Sequence, residues 1–266
     1  MDMSPQLNDI LTGFNIAMSY PETKNLPLII GESDPEGCAA CGMATNPENA
    51  YRNGTLYSSY TAASFARKYL LADQTKVNFL GAVSWSFEFE NQPWFYGFRD
   101  LATNGVDKPV LNVFRMFAMM KGDRVAVEGS SMYPLETILS KSVRGENPDI
   151  GGLASIDENS AAIMAWNYHD TDKPAPDTAV TLTVNNIPGK SAMMKIYVID
   201  KDNSNSYEVW KKMGSPQNPT TSQIAELEAA GQLKCISTQK VKITNNTLTL
   251  PLQLQRQAVA LVKLDW

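Results

Sequence analysis

The sequence predicts an α/β segment followed by an all-β segment, with the change near residue 122. Two observations carry this. Up to Gly122, apolar residues alternate between helical spacing and short continuous runs; past it come seven short β-rich runs separated by polar turns. A 43% hydrophobic content over 266 residues is enough to fill a core in each part. The expected domains are residues 1–122 and 123–266.

Leu7, Ile10, Leu11, Phe14 and Met18 share one helical face and predict a helix over Leu7–Met18. Pro21 and Pro27 bracket the link to an apolar strand, Leu28–Gly31, which reads as a buried parallel strand delivering Glu32 to the carboxyl edge of a sheet. A polar loop, Ser33–Gly54, follows. Leu56–Leu71 is the next helix, with Leu56, Tyr60, Ala63 and Leu70 on one face and Arg67 and Lys68 near its cation-favouring end. Val77–Phe89 reads as a second strand, Asn104-Gly105 as a turn, and Lys108-Pro109 as the start of a helix with Val110, Val113, Phe114 and Phe117 inward. Helix and strand thus alternate, the pattern of a parallel sheet with right-handed crossovers.

The later β-rich runs are Arg124–Glu128, Gly152–Ile156, Ala161–Asn167, Ala179–Val184, Met193–Ile199, Val241–Thr244 and Ala258–Leu264, a spacing that suggests a β-sandwich. A helical insert, Tyr207–Leu233, interrupts them; Gly214-Ser215-Pro216 and Pro219 divide it, and Thr220 or Thr221 caps its second piece.

A net charge of -5 offers no basic stripe for phosphates, so nucleic-acid binding is not expected. No apolar run has the roughly 18 residues of a membrane helix, and no membrane partner is expected. Met1–Pro5 lacks the basic start and apolar core of a signal peptide. The compartment stays open; a signal lost upstream of Met1 would make the protein secreted or periplasmic. Cys38 and Cys41 form a C-x-x-C without a second pair or a histidine for zinc, so a small buried turn or a local disulfide outweighs redox or metal chemistry, and Cys235 has no evident partner. The single histidine, His169, reads as a half-exposed strand-end residue, leaving no material for a Ser-His-Asp relay or a multi-histidine zinc site. No metal or cofactor is expected. Carboxylate chemistry remains.

A retaining glycosidase needs two carboxyls, a nucleophile and a general acid that later acts as base, roughly 5 to 5.5 Å apart. Glu32 suits the nucleophile because a fixed strand end can aim it; read from the pattern alone, it serves equally well as a carboxylate capping the Ser33–Gly37 turn. Trp85-Ser86-Phe87-Glu88-Phe89-Glu90 and Gln92-Pro93-Trp94-Phe95-Tyr96 mix aromatic faces, which stack on pyranose C–H faces, with groups that accept sugar hydroxyls. Strand alternation keeps these side chains from all sharing one surface.

The sequence resembles glycoside hydrolase family 39, the β-xylosidase and α-L-iduronidase family. The matching blocks are Gly31-Glu32-Ser33-Asp34-Pro35 with Asn49-Ala50-Tyr51-Arg52, and Asp202–Tyr207 with Trp210, Gly214-Ser215-Pro216 and Leu227–Leu233. The resemblance implies the last βα units of an incomplete (β/α)8 TIM barrel followed by a β-sandwich with a short helical insert. Leu28–Gly31 would be the seventh barrel strand, Val77–Phe89 the eighth, and the helix from Pro109 the closing one. It implies Glu32 as nucleophile and Trp85 and Glu88 as sugar-contacting residues; Trp94, from the aromatic stretch, and Arg52, from the loop after Glu32, are further candidates for substrate binding. The family's acid/base glutamate follows an asparagine, and this sequence holds no Asn-Glu dipeptide. About 120 residues precede the sandwich, whereas a complete barrel takes roughly 250. The expectation is therefore the carboxyl-terminal portion of a retaining β-xylosidase-type hydrolase acting on a glycoside or oligosaccharide, with little or no activity by itself. Its partner would be the missing amino-terminal barrel half, or a second copy through open strand edges. The alternatives are iduronidase-type specificity and a non-catalytic carbohydrate-binding or interaction module.

Overall fold

The computed structural model describes residues 1–266. Helix α1 (Ser4–Ser19) leads into strand β1 (Pro27–Ile30), and helix α2 (Thr55–Thr75) connects β1 to strand β2 (Asn78–Ala82), its parallel partner. Strands β3 (Ala102–Thr103) and β4 (Val106–Asp107) form a short hairpin. Its loop is the predicted Asn104-Gly105, both at positive φ (47° and 83°), as a two-residue hairpin turn requires. Helix α3 (Pro109–Met119) begins at the expected proline and buries Val110, Val113 and Met116.

The second part is built on a six-stranded sheet, ordered β10-β9-β12-β7-β6-β5, in which every neighbouring pair is antiparallel. The strands are β5 (Asp123–Val125), β6 (Asp149–Asp157), β7 (Ser160–Tyr168), β9 (Ser191–Ile199), β10 (Lys234–Lys242) and β12 (Val259–Asp265). A two-stranded pair, β8 (Thr178–Val184) and β11 (Leu248–Leu254), covers one of its faces. The helical insert is α5 (Ser206–Lys212) and α6 (Thr221–Gly231). Thr220, one of the two candidate caps, caps α6 in a reciprocal box with Gln223.

Side-chain alternation divides the sheet between two cores. Ala161, Ile163 and Ala165 of β7, with Ala260, Val262 and Leu264 of β12, meet Leu248, Leu250, Leu252 and Leu254 of β11. The intervening Ala162, Met164, Trp166 and Tyr168, with Val259 and Leu261, pack on Leu7 and Phe14 of α1, Leu56, Tyr60, Ala63 and Ala66 of α2, and Val113 and Met116 of α3. The parts on either side of residue 122 therefore share a core. A buried ion pair crosses the same boundary. Arg67 of α2 donates to both oxygens of Asp149 at 2.9 and 2.8 Å, and that carboxylate also accepts the Trp166 Nε1–H and the Tyr133 amide, each at 2.8 Å. The insert reaches back as well, packing Trp210 and Leu227 on Trp94, Phe95 and Val106.

Several expectations need correction. Strand β1 is not buried on both faces: Leu28 and Ile30 pack inward, while Ile29 is 64% exposed, as is Leu80 of β2 at 60%, because nothing covers the other side of this two-stranded sheet. Regular pairing of the second strand stops at Ala82, and Val83–Phe89 is irregular, with a cis Trp85–Ser86 peptide. Arg67 and Lys68 are not near the end of α2, which runs on to Thr75, and both are fully buried. His169 is buried rather than half-exposed: its Nδ1 accepts the Thr171 amide at 3.0 Å, which puts the ring proton on Nε2, 3.0 Å from the Gly145 carbonyl. Strand β5 stops at Val125, short of Glu128, and β10 begins seven residues ahead of the predicted Val241. Strand β11 and helix α4 (Leu135–Lys141) were not anticipated. No helix is long and apolar enough to cross a membrane.

Candidate active site

The site lies beyond the carboxyl ends of β1 and β2. The ladder continues past both strands through Val83 N–H to the Ile30 carbonyl (3.0 Å) and Ser33 N–H to the Val83 carbonyl (2.9 Å), which brings Glu32–Asp34 alongside Ser84 and Trp85. Glu32 leaves this edge toward solvent, its side chain 48% exposed.

Asp34 joins the two strand ends to the helix between them. Its Oδ1 accepts the Tyr57 hydroxyl of α2 (2.8 Å) and the Ser84 hydroxyl (2.6 Å), and its Oδ2 accepts the Trp85 amide (3.0 Å). Burial and the adjacent Asp34 charge raise the Tyr57 pKa well above its ordinary value, so the phenol stays a donor. With these partners and a buried side chain, Asp34 holds the site together and is not free to attack a substrate.

Arg99 stands between the strand ends. Its Nη2 donates to Glu32 Oε1 and its Nη1 to the Glu36 carbonyl, while Nε donates to the Trp85 carbonyl at 3.3 Å and lies 3.9 Å from Asp34 Oδ2. Burial lowers the guanidinium pKa from its very high ordinary value, which leaves it cationic. The backbone around it is fixed too: Arg99 N–H donates to the Ala39 carbonyl at 3.0 Å, and its carbonyl accepts from Ser86 N–H at 3.3 Å.

The loop after Glu32 is closed by a Cys38–Cys41 disulfide, one of the two structures the spacing allowed; Cys235 is free and exposed. Below the disulfide, a 3-10 helix, Pro47–Asn53, supplies the anchoring side chains. Arg52 donates to the carbonyls of Cys38 (3.1 Å), Cys41 (3.0 Å) and Gly97 (3.4 Å) and to the Glu36 carboxylate (2.7 Å). Gly97 sits at φ 79°, and a Cβ there would come within 2.9 Å of the Asn49 carbonyl oxygen, so this approach requires glycine.

The residues expected at the site separate into three groups. Glu32 and Trp85 are both at the open strand ends, Trp85 being 52% exposed with its edge against Phe89. Glu88 is partly buried, and its Oε1 accepts the Gly105 amide at 2.7 Å. Arg52 and Trp94 do not reach the site surface. Arg52 is 1% exposed with its donors committed to the loop, and Trp94 is packed against Phe95 and the insert. Sequence reasoning had missed Asp34 and Arg99. The available signal for Arg99 was a charged pair, Arg99-Asp100, directly after the aromatic stretch Trp94–Phe98.

Beneath the strand end, Lys68 is fully buried. Its Nζ donates to the Ser33 carbonyl at 3.3 Å and the Ser64 hydroxyl at 3.4 Å and lies 4.1 Å from the centre of the Phe65 ring. Burial pushes its pKa down to about 7, partly opposed by Asp34. No three His, Cys, Asp or Glu side chains are grouped so as to hold a metal ion.

A carboxylate at a sheet's carboxyl edge, braced by an arginine beside an exposed tryptophan, is an arrangement suited to sugar chemistry, and comparison with known proteins bears on it. The sequence matches the model for glycosyl hydrolases family 39 over residues 14–246. A β-xylosidase of Caldicellulosiruptor saccharolyticus is 24% identical over 172 residues, 64% of this chain and 32% of that protein. Among solved structures, the family 39 enzyme of Xanthomonas axonopodis pv. citri superposes with a TM-score of 0.73 at 16% identity, over 98% of this chain and 48% of that one. The monomeric β-xylosidase of Caulobacter crescentus CB15 gives 0.72 at 16% identity, over 97% and 49%. This chain thus spans about half the length of those enzymes or less. Because the family match runs unbroken from α1 to the turn before β11, through both the strand end that carries Glu32 and the six-stranded sheet, the chain belongs to glycosyl hydrolases family 39.

Proposed function

We propose that this chain carries the nucleophile side of a retaining glycosidase site, with Glu32 attacking the anomeric carbon of a glycoside to form a covalent glycosyl ester. One observation supports this above all: at the end of β1, in a chain of this family, Glu32 is held through one carboxylate oxygen and open to solvent. In this reading β1 and β2 are the seventh and eighth strands of a (β/α)8 barrel and α3 closes it. Residues 123–266 form an accessory β-sandwich with a helical insert. Trp85 offers the stacking face, and Glu88 acts by fixing the Gly105 turn.

The acid/base is not in this chain. It comes from the barrel half that would pair with the open edges of β1 and β2 and cover Ile29 and Leu80. Without it, the loss typical of a missing general acid, about 10² to 10⁴ in rate, applies. A neutral xyloside is favoured over a uronate: Arg52 is committed to the loop and Arg99 to Glu32, which leaves this side of the pocket without a cation for a substrate carboxylate.

An activated leaving group needs no general acid, so the reading can be tested on the chain as it is. Incubation with 2,4-dinitrophenyl 2-deoxy-2-fluoro-β-xyloside should add one fluoroxylosyl group, releasing dinitrophenolate, with peptide mapping placing it on Glu32. Glu32→Gln should take up none. No adduct on the wild type, or an adduct elsewhere, would refute the assignment.

A further inference from the structure

We infer that Arg99 is the positioning residue for Glu32: its guanidinium holds Oε1, so that Oε2 is the oxygen presented for attack. This rests on the nucleophile reading for its chemical meaning, though the ion pair itself can be tested without it.

The geometry is specific to this role. Three of the guanidinium's groups are directed, Nη2 to Glu32 Oε1, Nη1 to the Glu36 carbonyl and Nε to the Trp85 carbonyl, so the plane cannot rotate without breaking contacts to both strand ends. A planar fork fixed in this way defines the position of the carboxylate it meets, which a flexible ammonium would not. Glu32 accepts no hydrogen bond other than that from Arg99, and its Oε2 is free. Arg99 is 1% exposed whereas the Glu32 side chain is half exposed, so the cation is the rigid member and the carboxylate the one that faces a ligand.

The surroundings favour this charge pattern. Arg99 lies close to a second carboxylate, Asp34, with Glu36 and its partner Arg52 on the loop side and Lys68 beneath Ser33. Tyr57 is a donor to Asp34, and the Tyr51 hydroxyl accepts from Arg52 Nε. Asp34 is already satisfied by Tyr57, Ser84 and Trp85, and Glu36 by Arg52, which leaves Glu32 as the carboxylate that depends on Arg99.

The test reads the ionisation of Glu32 directly. Protein labelled with 13C at the glutamate side-chain carboxyl is titrated by NMR, with the Glu32 signal identified by its loss in Glu32→Gln. Arg99→Met should move the midpoint of Glu32 upward by about one pH unit or more, and Arg99→Lys, which restores charge without the fork, should fall between. Near-unchanged circular dichroism and melting temperature certify the variants. Should Arg99→Met fail to fold, Arg99→Lys against wild type still decides. Equal Glu32 midpoints in wild type and a folded variant overturn the inference.

The fluoroxyloside labelling adds a second readout. With Arg99→Met its rate should fall at least tenfold near pH 5, and the acid limb of its pH profile should shift upward. A titration gap without any labelling in wild type removes the glycosidase reading and leaves the ion pair; labelling with no gap removes the role of Arg99 and leaves the reading.

Discussion

The two β-structures in this molecule differ in how they are covered. The six-stranded sheet gives one face to helices α1, α2 and α3 and the other to β8 and β11, and its exposed large apolar side chains, Val125, Ile156, Met193 and Ile236, lie on its two outer strand pairs. The β1–β2 pair has helices on one side only, and Ile29 and Leu80, followed by Val83, Trp85 and Phe87, face solvent. Exposed apolar side chains gathered in one place are a common mark of a packing or binding surface. In the sheet, apolar residues fix the fold; in the pair, they are left exposed.

The comparison breaks first where the two parts are joined. Arg67→Met leaves Asp149 charged and buried, and should lower stability by about 3–5 kcal/mol in urea unfolding. Leu261→Ala, in the shared core, should cost about 2–5 kcal/mol. Separate transitions for the two parts in wild type, instead of one, would contradict a common core.

A smaller effect is expected under the site. Lys68 has a folded-state pKa of about 7 against an ordinary value of 10.5, so between those pH values the unfolded chain binds a proton that the folded chain has shed. Stability should therefore rise with pH across that window, by at most about 1.4 kcal/mol per unit, with the penalty of burying a charged lysine fully present below pH 7. Lys68→Met removes this slope. Unfolding midpoints for both proteins from pH 6 to 9 provide the check, and parallel curves would count against burial of a titrating lysine.

The smallest change sharpens the contrast most. Ile29→Ala and Leu80→Ala should each alter stability by less than about 0.5 kcal/mol, because these side chains bury little here. A core-like loss would show that this face is covered in solution.

Much of this was legible in the sequence where a residue's pattern matched its surroundings. The apolar period of α1, the proline starting α3, the Asn104-Gly105 turn and the Thr220 cap all gave correct elements. Strand β10 was largely hidden because, at the sheet edge, Lys234–Lys240 is mostly polar and exposed. Strand β11 was hidden by Pro251, which is tolerated because β11 pairs on one side only. At the site, Glu32 and Trp85 could be read from strand ends and residue type. Arg52, Arg67 and Lys68 could not, since a buried cation looks like a surface one until its partners, carbonyls and carboxylates distant in sequence, are brought to it.

The core shared across residue 122 also bears on how such a chain can be inherited. The helices that back β1 and β2 rest on β7 and β12, so the strands that aim Glu32 and the sheet behind them form one cassette. Recombination that swapped the sheet alone would need to reproduce the α2 footprint residue by residue.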